Sequence, residues 1–150
     1  MHYYFDVLKK YAVFEGRARR KEYWMFMLFN WIIIFVVLPL IFGLIAAFIY
    51  FAAGDGSTDT GDTLVGIILI FYLLVNMIYF LATFLPALAV MCRRLHDVGQ
   101  SGWLILLSLV PLGGIVLFVF TCLDSQPWEN PYGPNPKGIN MVSAPPNQLL

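Results

Sequence analysis

Charge is what this chain lacks. Only 12% of its residues are charged, about half of what a soluble domain uses to face water. The deficit is concentrated in three uncharged stretches, residues 23–53, 63–92 and 98–123. No acid or base falls inside any of them, which argues against a coupled ion or proton pathway through a single copy. Cysteine is scarce too. Cys92 and Cys122 are too few for a disulfide framework, and each reads as a small buried hydrophobe. In a three-span arrangement they stand at opposite membrane faces. With only two histidines, His2, His96 and Cys92 supply too few ligands for a zinc site. Phosphate-loop, metalloprotease and serine-hydrolase signatures are absent. No catalytic residue, metal or cofactor is therefore expected.

What is present is apolar length. Crossing the hydrocarbon core takes roughly 20 apolar residues in a helix, and mean hydropathy is +0.77 with 60% hydrophobic residues. The composition predicts an all-α membrane protein with about three transmembrane helices, at about 24–53, 64–92 and 103–123. The first apolar stretch is too long for a cleaved leader and reads as an uncleaved anchor. It also exceeds one crossing, so tilt or a break near Pro39 is expected. Gly43 and Ala47 form a small-xxx-small pair able to seat a neighbouring helix. The third stretch is interrupted by Pro111-Leu112-Gly113-Gly114. One kinked span is the favoured reading, with a re-entrant hairpin as the alternative, because irregular backbone facing lipid is costly.

Charge alternates along the chain. Residues 1–22 carry six Lys and Arg against three acids, whereas 54–62 carry three Asp and no base. A second basic cluster follows at Arg93-Arg94. Positive clusters face the cytoplasm, so the N-terminus and second loop are expected inside and the first loop outside. Residues 1–22 read as a cytoplasmic amphipathic helix, over 2–14, followed by a basic segment. In that helix Tyr4, Val7, Leu8 and Tyr11 share a face that rests at the headgroup boundary. Residues 23–123 form the membrane domain. Residues 124–150 hold six of the nine prolines and read as a Pro-rich tail without a core, disordered toward its end.

Two charged joints carry the candidate chemistry. Arg17, Arg19, Arg20 and Lys21 sit directly before Tyr23 and Trp24, and such clusters recruit anionic lipid at roughly 1 kcal/mol per base. The other joint runs Arg93-Arg94-Leu95-His96-Asp97-Val98-Gly99-Gln100-Ser101-Gly102-Trp103. Its arginines suit a phosphate-bearing headgroup or phospholigand, or simply set topology. Arg93 and Asp97 are spaced to pair, and Gly99 and Gly102 permit a tight turn with free N–H groups. His96 and Asp97 point about 100° apart on a helix, so they form no relay with each other. The basic charges lie too close to the bilayer for nucleic acid.

Read in order, Tyr11-Ala-Val-Phe-Glu-Gly-Arg-Ala-Arg-Arg-Lys-Glu-Tyr-Trp24, Arg93 to Trp103, and Glu129-Asn-Pro-Tyr-Gly-Pro-Asn-Pro136 resemble the bacterial inner-membrane family called domain of unknown function 805. The resemblance covers roughly residues 3–138. It implies a small multi-pass inner-membrane protein with no established activity and no catalytic residue to carry over. Trp128 stands where that family usually has Gly, and Pro131 where a base is common. The shared local motif of Arg93, Arg94, His96, Asp97 and Tyr132-Gly133-Pro134 adds some weight to the hairpin alternative, which would return the tail to the arginines' side, and the single kinked span stays the favoured reading. The leading functional expectation is a non-enzymatic scaffold or accessory protein contacting anionic lipid through Arg17, Arg19, Arg20, Lys21, Arg93 and Arg94. Alternatives are an oligomeric transporter or channel built around the Gly43 and Ala47 face, and a headgroup-modifying enzyme using His96. Partners are then membrane lipids and a second copy or another membrane protein.

Overall fold

The computed structural model describes residues 2–52 and 58–138. All regular structure among them is helical: α1 (His2–Lys9), α2 (Arg20–Ile32), a π-helical turn (Ile33–Val37), α3 (Leu38–Ala52), α4 (Thr58–Asp97), a 3₁₀ helix (Gly102–Leu109) and α5 (Gly113–Cys122). Two compact units result, one from Met1–Met27 with Leu85–Leu150, the other from Leu28–Phe84.

Two helices, Arg20–Ala52 and Gly61–Asp97, are long and apolar enough to cross a membrane. Their large apolar side chains point outward, with Phe51 88% and Phe48 73% exposed. Apolar belts of this extent require lipid as their solvent. The irregularity expected near Pro39 is the π-helical turn just before it. Proline offers no N–H and crowds the carbonyl four residues back, and the chain responds by widening, with Leu38 N–H donating to the Ile33 carbonyl.

In the second unit Asn30 accepts a hydrogen bond from Tyr79 Oη at 2.7 Å, and Phe42 packs edge-on against Tyr72 at 5.3 Å. Gly43 and Ala47 are exposed. Nothing lies within 4 Å of a Cβ placed at Gly43, which borders a cavity of about 270 Å³ with Phe42, Val65 and Tyr72.

The first unit is built on α1, the start of α2 and the end of α4. Val7, Ala18, Tyr23, Phe26 and Val90 form its buried apolar cluster, with Tyr4 and Leu8 packed on it. Tyr4 stacks on Phe26 at 5.4 Å. The apolar face of α1 therefore lies on protein. The helix stops at Lys9, short of the expected 14, so Tyr11 leaves the shared face and is 43% exposed.

The third apolar stretch is a hairpin, which corrects the single kinked span. Gly102 at its start lies against Cys92 and His96 of α4, and Thr121 and Leu123 at its end both present carbonyls to Arg94 of the same helix end. The arms, eight residues of 3₁₀ helix and ten of α-helix, are each about 15–16 Å long. That is half of the ~30 Å core, so neither arm can cross. The turn is held by Gly113 N–H donating to the Val110 carbonyl at 2.9 Å, with Leu112 left-handed at φ 66°. A methyl group on Gly113 would strike the Leu107 carbonyl. Gly113→Ala is expected to lower stability by about 1–3 kcal/mol, read as a lower unfolding temperature in detergent; an unchanged transition would refute this packing.

Because the hairpin returns, Cys92 and Cys122 belong to one unit rather than opposite faces. The tail also differs from the expectation of a segment without a core. Ser125 and Asn135 are buried, and residues 124–138 wrap the end of α4. The predicted disorder at the end of the tail falls on residues 139–150, outside those described.

Candidate functional site

The joint after α4 closes with a helix cap. Gly99, at φ 76°, donates its N–H to His96, and Gln100 donates to Leu95 at 2.9 Å. This pair of bonds is the Schellman arrangement, which needs a left-handed residue after the helix. The turn around Gly99 and Gly102 is as expected, but its N–H groups at 99 and 100 are occupied.

Asp97, the last residue of α4, is wholly buried. A carboxylate at a helix C-terminus meets the negative end of the dipole, so it needs cations. Arg17 Nε donates to its Oδ1 at 3.0 Å, and Arg94 Nη1 to Oδ2 at 2.5 Å. Ser125 Oγ adds a third bond to Oδ2 at 2.5 Å. The anticipated Arg93–Asp97 pair is not formed. Arg93 faces Glu22 instead, at 3.2 Å, because Arg94 and Asp97 share the inner face of the helix.

Arg17 shows why the tail is ordered. Its five N–H donors have five acceptors: Asp97 Oδ1, the Asp97 carbonyl, and the carbonyls of Gln126, Trp128 and Gly133, at 2.6–3.3 Å. Arg94 similarly donates to the Thr121 and Leu123 carbonyls. Two guanidiniums against one carboxylate leave an excess positive charge in the interior, and these carbonyl dipoles offset it. Asn130 Nδ2 completes the wrap by donating to the His96 carbonyl at 2.8 Å. Trp128 takes part through its carbonyl, which explains how Trp can stand where Gly is usual. Pro131 is exposed.

The six basic residues of the candidate lipid contact therefore separate. Arg17 and Arg94 turn their donors inward, which removes them from the headgroup-contact set. Arg93 is buried beside Glu22, with its Nη2 unpartnered. Arg19 and Lys21 are exposed; Arg19 reaches the Pro136 carbonyl. Arg20 pairs with Asp124 at 3.0 Å, both side chains well exposed. The Lys137 ammonium and the Ser125 amide hold the Asp124 carboxyl below its ordinary range. A lowered folded-state value stabilises above the unfolded value and is lost as pH falls through the lowered one, and at so exposed a pair the effect is small.

Lys9 and Lys10, which the amphipathic pattern of the first helix turns toward anionic lipid, are exposed on the same surface. With Tyr3, Asp6, Arg19 and Glu22 they line a cavity of about 260 Å³.

His96 sits on the other side of the cap. Its ring stacks flat on Tyr132, 3.8 Å between centroids. Nδ1 lies 3.3 Å from the Gly16 carbonyl and Nε2 3.6 Å from Cys92 Sγ. Together with Ser101, Trp103 and Phe14 these groups border a cavity of about 510 Å³. Trp103 is 80% exposed. Ser101 caps the 3₁₀ helix by accepting from the Trp103 N–H. Among the described residues, no three His, Cys, Asp or Glu side chains converge as metal ligands would.

Long lipid-facing helices, a half-length apolar hairpin and a buried arginine–aspartate knot define an all-helical membrane protein. The chain belongs to the family "Protein of unknown function (DUF805)", whose profile matches residues 11–134. It is 41% identical over 140 residues to "Inner membrane protein YhaH" of Escherichia coli K12, covering 91% of this chain and 98% of that protein. It is 42% identical over 140 residues to "Inner membrane protein YhaI" of the same organism, covering 91% and 97%. No solved structure matches the chain.

Proposed function

We propose that the chain is a non-enzymatic membrane scaffold or accessory protein that contacts anionic lipid headgroups at the cytoplasmic face. The division among its cations carries this reading. Arg17 and Arg94 hold the unit together from inside, while Lys9, Lys10, Arg19 and Lys21 remain on the surface, three of them around one cavity. Exposed bases beside a membrane helix attract anionic lipid at roughly 1 kcal/mol each. The positive clusters favour a cytoplasmic N-terminus, and the hairpin brings the tail to the same side.

Replacing Lys9, Lys10 and Arg19 together by Gln is expected to cut co-purified anionic phospholipid at least fivefold, with membrane insertion and unfolding temperature unchanged. Native mass spectrometry from mixed-lipid nanodiscs measures it. Equal anionic lipid on both proteins would sink the reading. Arg94→Gln, by contrast, should act on stability.

A further inference from the structure

We propose that Cys92 is an acyl-accepting thiol, modified by a long-chain acyl thioester with His96 as the base. The geometry is independent of the headgroup contact. A carbonyl oxygen can only accept, so the Gly16 carbonyl facing His96 Nδ1 assigns the ring proton to Nδ1. The lone pair of Nε2 is then directed at Cys92 Sγ, 3.6 Å away. A nucleophile beside a base, with the base oriented by a third group, is the arrangement that activates a thiol. The flat stack of His96 on Tyr132 holds the ring in that orientation.

Space over the thiol is kept by Gly102. A methyl group there would collide with Cys92 Sγ and come within 3.1 Å of His96 Nε2. Cys92 lines the cavity of about 510 Å³, within the roughly 300–1,000 Å³ of small-molecule sites. Phe14, Trp103, Ile105 and Leu106 supply its apolar wall, and among the described residues no charged side chain borders it. Such a wall selects an alkyl chain over a charged electrophile, since an unpaired charge there would be desolvated without compensation.

The step conserves electrons. The thiol proton passes to His96 Nε2 as Sγ bonds to the acyl carbonyl carbon. The carbon–sulfur bond of the donor breaks, and its departing thiolate takes the proton from the imidazolium. One thioester is exchanged for another, and no oxidant is needed.

Incubating the full chain in nanodiscs with alkyne-tagged palmitoyl coenzyme A, then mapping peptides by mass, tests this without requiring any variant to fold. Label is expected on Cys92, in excess over Cys122, and removable by neutral hydroxylamine. Cys122→Ser should label normally, and His96→Gln and Gly102→Ala should label at least tenfold more slowly. No label, label mainly on Cys122, a hydroxylamine-stable adduct, or a wild-type rate in folded His96→Gln would each overturn the proposal.

Discussion

Asp97→Asn is expected to destabilise the first unit by about 3–5 kcal/mol and to free residues 124–138 for proteolysis. Breaking a buried ion pair by removing one partner has costs of that order. Here the loss is felt twice, because Asp97 faces Arg17 and Arg94 at once. Asparagine keeps the shape and one acceptor oxygen. It brings N–H donors where a guanidinium or Ser125 already donates, and it cancels the carboxylate that pairs with both cations. Arg17 also holds three tail carbonyls and Arg94 the two at the end of the hairpin, so loosening them should loosen the wrap around α4. Limited proteolysis and unfolding in nanodiscs measure the two effects. A variant as protected as the wild type would show that the backbone carbonyls alone satisfy the arginines.

Arg17→Lys is the second large effect, although it conserves charge. Lysine has three donors on one nitrogen, whereas Arg17 uses five in a planar fork. At least two acceptors lose a donor, and a buried acceptor left unsatisfied costs about 1–3 kcal/mol. The acceptors most exposed to the loss are the half-buried carbonyls of Trp128 and Gly133, both held by Nη1, of which Gly133 keeps the Asn130 N–H. Hydrogen exchange over residues 126–133 should quicken at least tenfold, while the second unit exchanges as before. Arg17→Ala should cost more, and its effect should combine less than additively with Asp97→Asn, because the two act through one network. Additive losses, or unchanged exchange in Arg17→Lys, would refute the fork's role.

Some of this site was legible beforehand. The turn at Gly99 and Gly102 follows from local backbone preference. The one-turn spacing of Cys92 and His96 is visible in any helical reading. Their relation is not, because the groups that orient His96 and open the thiol, Gly16, Tyr132 and Gly102, arrive from three other segments. The expected Arg93–Asp97 pair failed for a related reason. Spacing permits both that pair and Arg94–Asp97, and Arg17, 80 positions away, decides which face of α4 turns inward. The hairpin was legible only as one of two alternatives. Pro111 and the glycines mark a break without stating whether the chain continues or returns.

Membrane residence, helical class and the position of both long helices were determined by the sequence alone. Partition of an apolar helix into lipid is nearly a sum over its own residues, and it needs no tertiary partner. What only the tertiary structure decided is the fate of the charges and of the third stretch. A guanidinium has the same identity whether it faces lipid headgroups or a buried carboxylate. Its role is set by acceptors that folding brings from distant segments, and here they divide one basic cluster into Arg17 inside and Arg19 and Lys21 outside.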